Sequence, residues 1–290
     1  MSGPGRRWLE LRTRSRAGGD VEDLLAEGLV ALGGRAVEER DGWFVTHVAE
    51  PEDPGGFEAT ARERLRDVTG LEDVEVEVSW QDHEDWAETW RRGLAPRRLT
   101  DRLVVRPSWM EVPDPREGDL VIVLDPGMAF GTAEHGTTRG CLRLLDQAVQ
   151  QDERVLDIGA GSGILSIAAA LLGASEVHAV ESDPLATEAI EENVARNGVA
   201  DRVRWSELQV DVPWLEATRP VHGIVANIES GILEPLLPGF QAAVGRGGWL
   251  ILSGILEHEW PRMRAAGEAH GFGLVELDAD GEWRSALFRA

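Results

Sequence analysis

Two stretches of this sequence combine residue types suited to holding a small ligand. In "VLDIGAGSG", Asp157, Gly159, Gly161 and Gly163 form a D-x-G-x-G-x-G run. Glycines adopt positive φ and let the backbone come close to a ligand. A helix starting just after them aims its free N–H groups the same way. The dinucleotide fingerprint is spaced G-x-G-x-x-G and would need glycine where Ile164 stands. The run therefore fits a nucleoside better than a pyrophosphate. Glu181 lies 18 residues past Gly163, at the end of the next expected strand. A carboxylate there can accept both hydroxyls of a ribose. Asp183 directly precedes Pro184 and suits a helix N-cap instead. The second stretch, "DPGMAFGTAEHGTTRGC" from Asp125 to Cys141, is too rich in glycine and threonine for a core element. It is also too long, and too apolar at "GMAF", for an ordinary turn.

Other reactive residue types read as structural. His135 follows Glu134 but has no second histidine at i+4, so the pair is not a metal site. His135 is expected to hydrogen-bond rather than act as a base. Cys141 stands among leucines on an expected helix and belongs to the core. Trp86 and Trp90, at i,i+4, suit packing between domains.

The elements that must position these residues follow from periodicity. From Arg154 onward strands and helices alternate: "RVLDIG", "GILSIAAALLG", "EVHAVES", "PLATEAIEENVARNG", "VRWSE", "GIVANI", "GILEPLLPGFQAAV", "GWLILSG" and "EHEWPRMRAAGEAHG". This order predicts a mostly parallel sheet with helices on both faces. Two last strands around Gly281 would add an antiparallel edge. The first eighty residues read βαββαβ, the split unit of a small α+β ferredoxin-like domain. In them Asp20 and Gly33 bound the first helix, Asp41-Gly42 turns a hairpin, and "VEVEVSW" alternates as a half-buried strand does. The expected division is residues 1–80, a connecting segment 81–117 with reorientation about Gln81 to Arg98, and 118–290.

Composition narrows the class. The 290 residues are 42% hydrophobic, enough for a large and a small core. No apolar run approaches the roughly 18 residues of a membrane helix, and "MSGPGRRWLE" lacks the apolar part of a signal peptide. The single cysteine excludes an internal disulfide and favours the cytoplasm. Acidic residues outnumber basic ones by 52 to 29, giving a net charge of −23, and there is no lysine. Direct nucleic-acid binding is disfavoured, because it relies on cationic contacts. A basic partner is welcome.

"LDPGMAFGTAEHGTT", "VLDIGAGSGILSIAA", "VANIESG" and "LILSGIL", in this order and spacing, resemble the ribosomal protein L11 methyltransferase (PrmA) family. That resemblance implies a class I methyltransferase Rossmann-like sheet preceded by a ferredoxin-like substrate-recognition domain. It implies S-adenosyl-L-methionine as methyl donor, and lysine side chains and/or the α-amine of the basic ribosomal protein L11 as acceptors. Thr138, Gly159, Gly161, Glu181 and Asn227 would contact the cofactor, with Gly159 and Glu181 holding its adenosine half and Asn227 standing beside the reacting centre. Asn227 offers an uncharged acceptor that can orient an amine; alternatively it caps "SGILEPLL". The chain departs from the family's usual pattern at Ala133, at Glu181 where aspartate is usual, and at Glu229, read as solvent-facing. A monomer without metal is expected. Methylation of another protein or of a small molecule remains an alternative. A dehydrogenase is opposed by the glycine spacing, and a non-catalytic binding module would leave the cofactor constellation without use.

Overall fold

A computed structural model describes residues 8–15, 25, 28, 29, 32, 37–40, 42–49, 56–70, 74–81, 95–125, 133, 135–218 and 220–290. The chain divides into two compact units, Met1–Gly93 and Leu94–Ala290. The bounds expected for the first helix, Asp20 and Gly33, lie outside the described residues, as do Asp41, Trp86 and Trp90.

In the first unit, β1 (Trp8–Arg14), β2 (Glu38–Arg40), β3 (Trp43–Ala49) and β4 (Glu75–Gln81) form one antiparallel sheet of order β2-β3-β1-β4. A βαββαβ unit with two crossing helices gives this order. Leu25, Gly28 and Leu29 are helical, and α1 (Phe57–Thr69) ends at Gly70 in the left-handed conformation. Period-two alternation sends Leu11 of β1 and Val76 of β4 inward against Leu25, Leu29, Ala61 and Leu65. On the opposite face Arg12 and Arg14 lie over the Trp43 ring, at 5.5 and 4.2 Å from its centroid. Arg14 also donates to Glu75 at 2.6 Å.

The second unit opens with β5 (Arg97–Arg98), β6 (Leu103–Arg106) and β7 (Leu120–Val123), in which β6 pairs parallel to β7. The boundary expected at 117/118 therefore runs through a small sheet, and residues 95–117 belong with the second unit. Next come α2 (Gly136–Ala148), β8 (Arg154–Ile158), α3 (Ile164–Leu172), β9 (Glu176–Glu181), α4 (Pro184–Arg196) and β10 (Val203–Glu207). The chain closes with α5 (Val212–Ala217), β11 (Val221–Asn227), α6 (Ser230–Ala243), β12 (Val244–Leu256), α7 (Trp260–Ala269), β13 (Gly273–Asp280) and β14 (Trp283–Arg289).

The main sheet runs β10-β9-β8-β11-β12-β14-β13. All its pairs are parallel except those of β14, which is antiparallel to β12 and β13. Alternate residues serve opposite layers. Val155, Val225 and Ile251 pack in one core with α2, α3 and α4. Leu156, Ile224, Ala226, Leu250 and Leu252 pack in the other with α5, α6 and α7.

The last hairpin supplies the expected antiparallel edge. Its strand order, with β14 inserted between β12 and β13 and β13 outermost, was not foreseen. Ser285–Phe288 is buried without interruption, whereas β13 is mostly exposed. A strand covered on both faces reads as a continuous apolar run, and "SALF" is that run. α5 was also not expected. Asp211 caps it, accepting from the Trp214 amide at 2.8 Å, with Pro213 in its first turn. No helix among the described residues is long and apolar enough to cross a membrane.

Candidate active site

The strand order reverses between β8 and its neighbours β9 and β11. In an open parallel sheet, ligands bind beyond the carboxyl ends of the strands at such a switch point. Three expected residues stand there. Gly159 follows β8, Glu181 ends β9 and Asn227 ends β11.

The glycine turn is built as its composition dictates. Gly159, Gly161 and Gly163 have φ of +72, +53 and +80, values that side chains disfavour. The Gly159 amide donates to the Val180 carbonyl at 2.9 Å, tying the turn to β9. Glu181 completes the tie. Its Oε2 accepts from the Gly161 amide at 2.8 Å, and its Oε1 from the Ser182 and Asp183 amides at 2.7 and 2.9 Å. Oε1 has both lone pairs engaged, so Oε2 retains room for one more donor. Glutamate's extra methylene lets the carboxylate reach back to these amides.

Asp157 lies beneath the turn and is fully buried. Its Oδ2 accepts from Ser166 Oγ at 2.6 Å, and its Oδ1 has no partner among the described residues. Burial pushes its carboxyl up to about 7, and the nearby Glu181 carboxylate adds to the rise. A buried acceptor without a donor is costly, so this oxygen fits a ligand that brings a cationic or N–H group. Glycine turn, adjoining carboxylate and orphan acceptor together suit the two halves of S-adenosylmethionine.

Thr138 is fully buried in the first turn of α2, and its Oγ1 lies 3.5 Å from Asn227 Nδ2. The structure thus brings together the first turn of α2 and the end of β11. Asn227 does not cap α6, whose N-cap position is held by Glu229. Glu229 is exposed, as expected. Asp183 precedes Pro184, the first residue of α4. His135 holds the N-cap position of α2, hydrogen-bonds Thr137 Oγ1 through Nδ1 at 2.7 Å and meets the Trp283 ring in a tilted contact, centroids 5.0 Å apart. Burial lowers its pKa. Cys141 is buried in the core. Of the loop from Asp125 to His135, residues 126–132 and 134 lie outside the described residues.

The sequence reading missed what anchors α2. Arg139 reaches Asp280 at 2.9 and 2.7 Å, and Arg143 reaches Asp278 at 2.6 Å through two nitrogens. Such bidentate pairs fix geometry as well as charge. The only signals were arginines at i,i+4 and "DAD" at the end of β13.

A parallel sheet entered by one antiparallel strand, with the glycine turn after β8 and an acid ending β9, defines a class I S-adenosylmethionine-dependent methyltransferase. The sequence pattern of "Ribosomal protein L11 methyltransferase (PrmA)" matches residues 50–290, and the chain belongs to that family. A ribosomal protein L11 methyltransferase of Symbiobacterium thermophilum is 39% identical over 86% of this chain and 88% of its own. One from Heliobacterium modesticaldum is 35% identical over 98% and 97%. The crystal structure of a ribosomal protein L11 methylase from Lactobacillus delbrueckii subsp. bulgaricus is 30% identical, with a TM-score of 0.61, over 67% of this chain and 97% of that one.

Proposed function

We propose that this chain methylates lysine side chains and/or the α-amine of ribosomal protein L11, the substrate named for its relatives. When bound, S-adenosylmethionine supplies a methyl group carried on a cationic sulfonium. Gly159, Gly161 and Glu181 would hold its adenosine half, Asp157 its cationic part, and Thr138 would touch it from α2. The observation that carries the reading is the meeting of Asn227 with Thr138 beside the glycine turn. Among the described residues nothing donates to the Asn227 carboxamide oxygen, which stays available to an incoming amine. A lysine amine has a pKa of about 10.4 in water. Leaving water disfavours its charged form, so the chain's task is position rather than strong base chemistry. No residue is assigned as base. The first unit reads the substrate: its motifs for cofactor are absent, and its acidic stretch "GLEDVEVEV" suits a basic protein. Full chain, S-adenosylmethionine and purified L11 should yield L11 heavier by whole methyl groups; unmodified L11 after complete incubation contradicts the proposal.

Glu181→Ala should weaken S-adenosylmethionine binding by about 1–3 kcal/mol, the usual loss for a charge-assisted partner. Calorimetry that finds NAD bound tightly and S-adenosylmethionine not at all would refute the cofactor assignment.

Asp157 gives a pH signature. Its folded pKa stands above the unfolded carboxylate value of about 3.9. Its contribution to stability is therefore complete below about pH 4 and is lost as pH rises through about 7. A bound cation favours the carboxylate, so binding releases a proton. Affinity for S-adenosylmethionine should rise between about pH 6 and 8 and level off above. Asp157→Asn should flatten this rise; an unchanged slope would remove Asp157 from the site.

A further inference from the structure

Asn227 is followed by Ile228, and Ile228 is pressed from two sides by residues that lack a side chain. A Cβ on Gly159 would overlap Ile228 Cγ2. A Cβ on Gly254 would overlap the Ile228 carbonyl oxygen, and would lie 2.8 Å from its carbonyl carbon and 3.3 Å from its nitrogen. Gly254 also has φ +82. It belongs to a β-bulge. The β12–β14 ladder pairs Leu252 with Ala286 and resumes with Ile255 against Arg284. Three steps on β12 thus match two on β14, and Ser253–Gly254 holds the extra residue. Bulges bend a strand and re-aim its side chains.

The same bulge reaches the other side of the Asn227–Thr138 contact. Asn227 pairs with Ser253 in the β11–β12 ladder. Ser253 is fully buried, and its Oγ donates to the Thr137 carbonyl at 3.2 Å while accepting from Ser285 Oγ at 2.7 Å. Thr137 immediately precedes Thr138. The bulge therefore supports Asn227 through the Ile228 peptide and Thr138 through the first turn of α2.

We infer that the Ser253–Gly254 bulge is a positioning element, fixing the Asn227 carboxamide where the substrate amine arrives. The inference rests on the proposed role of Asn227. A side chain at position 254 must push the Ile228 peptide, and Asn227 moves with it. A displacement near 1 Å costs on the order of 100-fold in rate. The glycine turn is less affected, because Gly159 faces the Ile228 side chain rather than its peptide.

Gly247 provides the control. It lies in the same strand with φ +77, and an added Cβ would meet nothing within 4 Å. Gly247→Ala thus carries the same backbone strain without the collision. In the full chain, Gly254→Ala should lower kcat at least about tenfold and leave the Kd for S-adenosylmethionine within about threefold, while Gly247→Ala keeps kcat. Binding stoichiometry by calorimetry corrects for any unfolded fraction. Equal kcat in the two variants overturns the inference. If Gly254→Ala does not fold, Ser253→Ala decides, since it adds no backbone strain: reduced kcat at unchanged Kd supports the bulge's role, and unchanged kcat overturns it. Asn227→Ala is measured alongside. Its normal turnover would remove the Asn227 reading and the bulge's role together. An impaired Asn227→Ala beside an unimpaired Gly254→Ala removes the bulge's role alone.

Discussion

Asn227→Ala should methylate protein about 100-fold more slowly than the unaltered chain, while binding S-adenosylmethionine nearly as well. The size follows from what the carboxamide is asked to do. It orients an amine for in-line attack, and orientation of reacting groups is worth orders of magnitude in rate. Little else should change. Asn227 Nδ2 meets Thr138 Oγ1 at 3.5 Å, the outer limit of a hydrogen bond, so its loss costs the fold little. Helix α6 keeps its start, because Glu229 rather than Asn227 holds the N-cap position. A loss in kcat without a matching loss of cofactor affinity marks an interaction made at the reacting stage. Steady-state turnover on L11 together with calorimetric titration separates the two. Normal turnover would reduce Asn227 to a strand end.

Removal of residues 1–93 should separate docking from chemistry. The shortened chain begins at Leu94, where the second unit begins, and so keeps β5 paired with β6. A start near Leu99 would delete β5. Every proposed cofactor contact lies in the retained unit, so S-adenosylmethionine affinity should stay within about threefold. Methylation of L11 should fall by about 100-fold or more, because binding energy from remote parts of a substrate is spent at the reacting centre. Near-ultraviolet circular dichroism must first show the shortened chain folded. A folded chain that methylates L11 at the full rate would deny the first unit its role and would strengthen the case for a small-molecule acceptor.

The parts of this architecture that obey local rules were legible in the sequence. The glycine turn announces itself because only glycine tolerates three positive φ values in five residues. The alternation of strand and helix after Arg154 follows from period, as does the βαββαβ run before Gln81. What escaped the reading is non-local. Arg139 and Asp280 are 141 positions apart, and nothing short of the fold brings them together. The insertion of β14 between β12 and β13 is a matter of sheet order, although the buried run Ser285–Phe288 carried a hint. The bulge at Gly254 depends on how two strands count against each other. Asp157 was visible as a residue, but its unpartnered oxygen is a property of the closed core above Ser166. Helix α5 was missed for its length alone, since Asp211 and Pro213 are ordinary start signals.

The central claim is that this chain transfers methyl groups to amines of one basic ribosomal protein. The most direct test gives the full-length chain S-adenosylmethionine labelled in its methyl group and the complete set of ribosomal proteins from cells lacking the enzyme. Label should collect in a single small basic protein, L11, and peptide mass mapping should locate it on lysine side chains, the α-amine, or both. Label spread over many proteins, or confined to a small molecule while every protein stays unlabelled, would contradict the account.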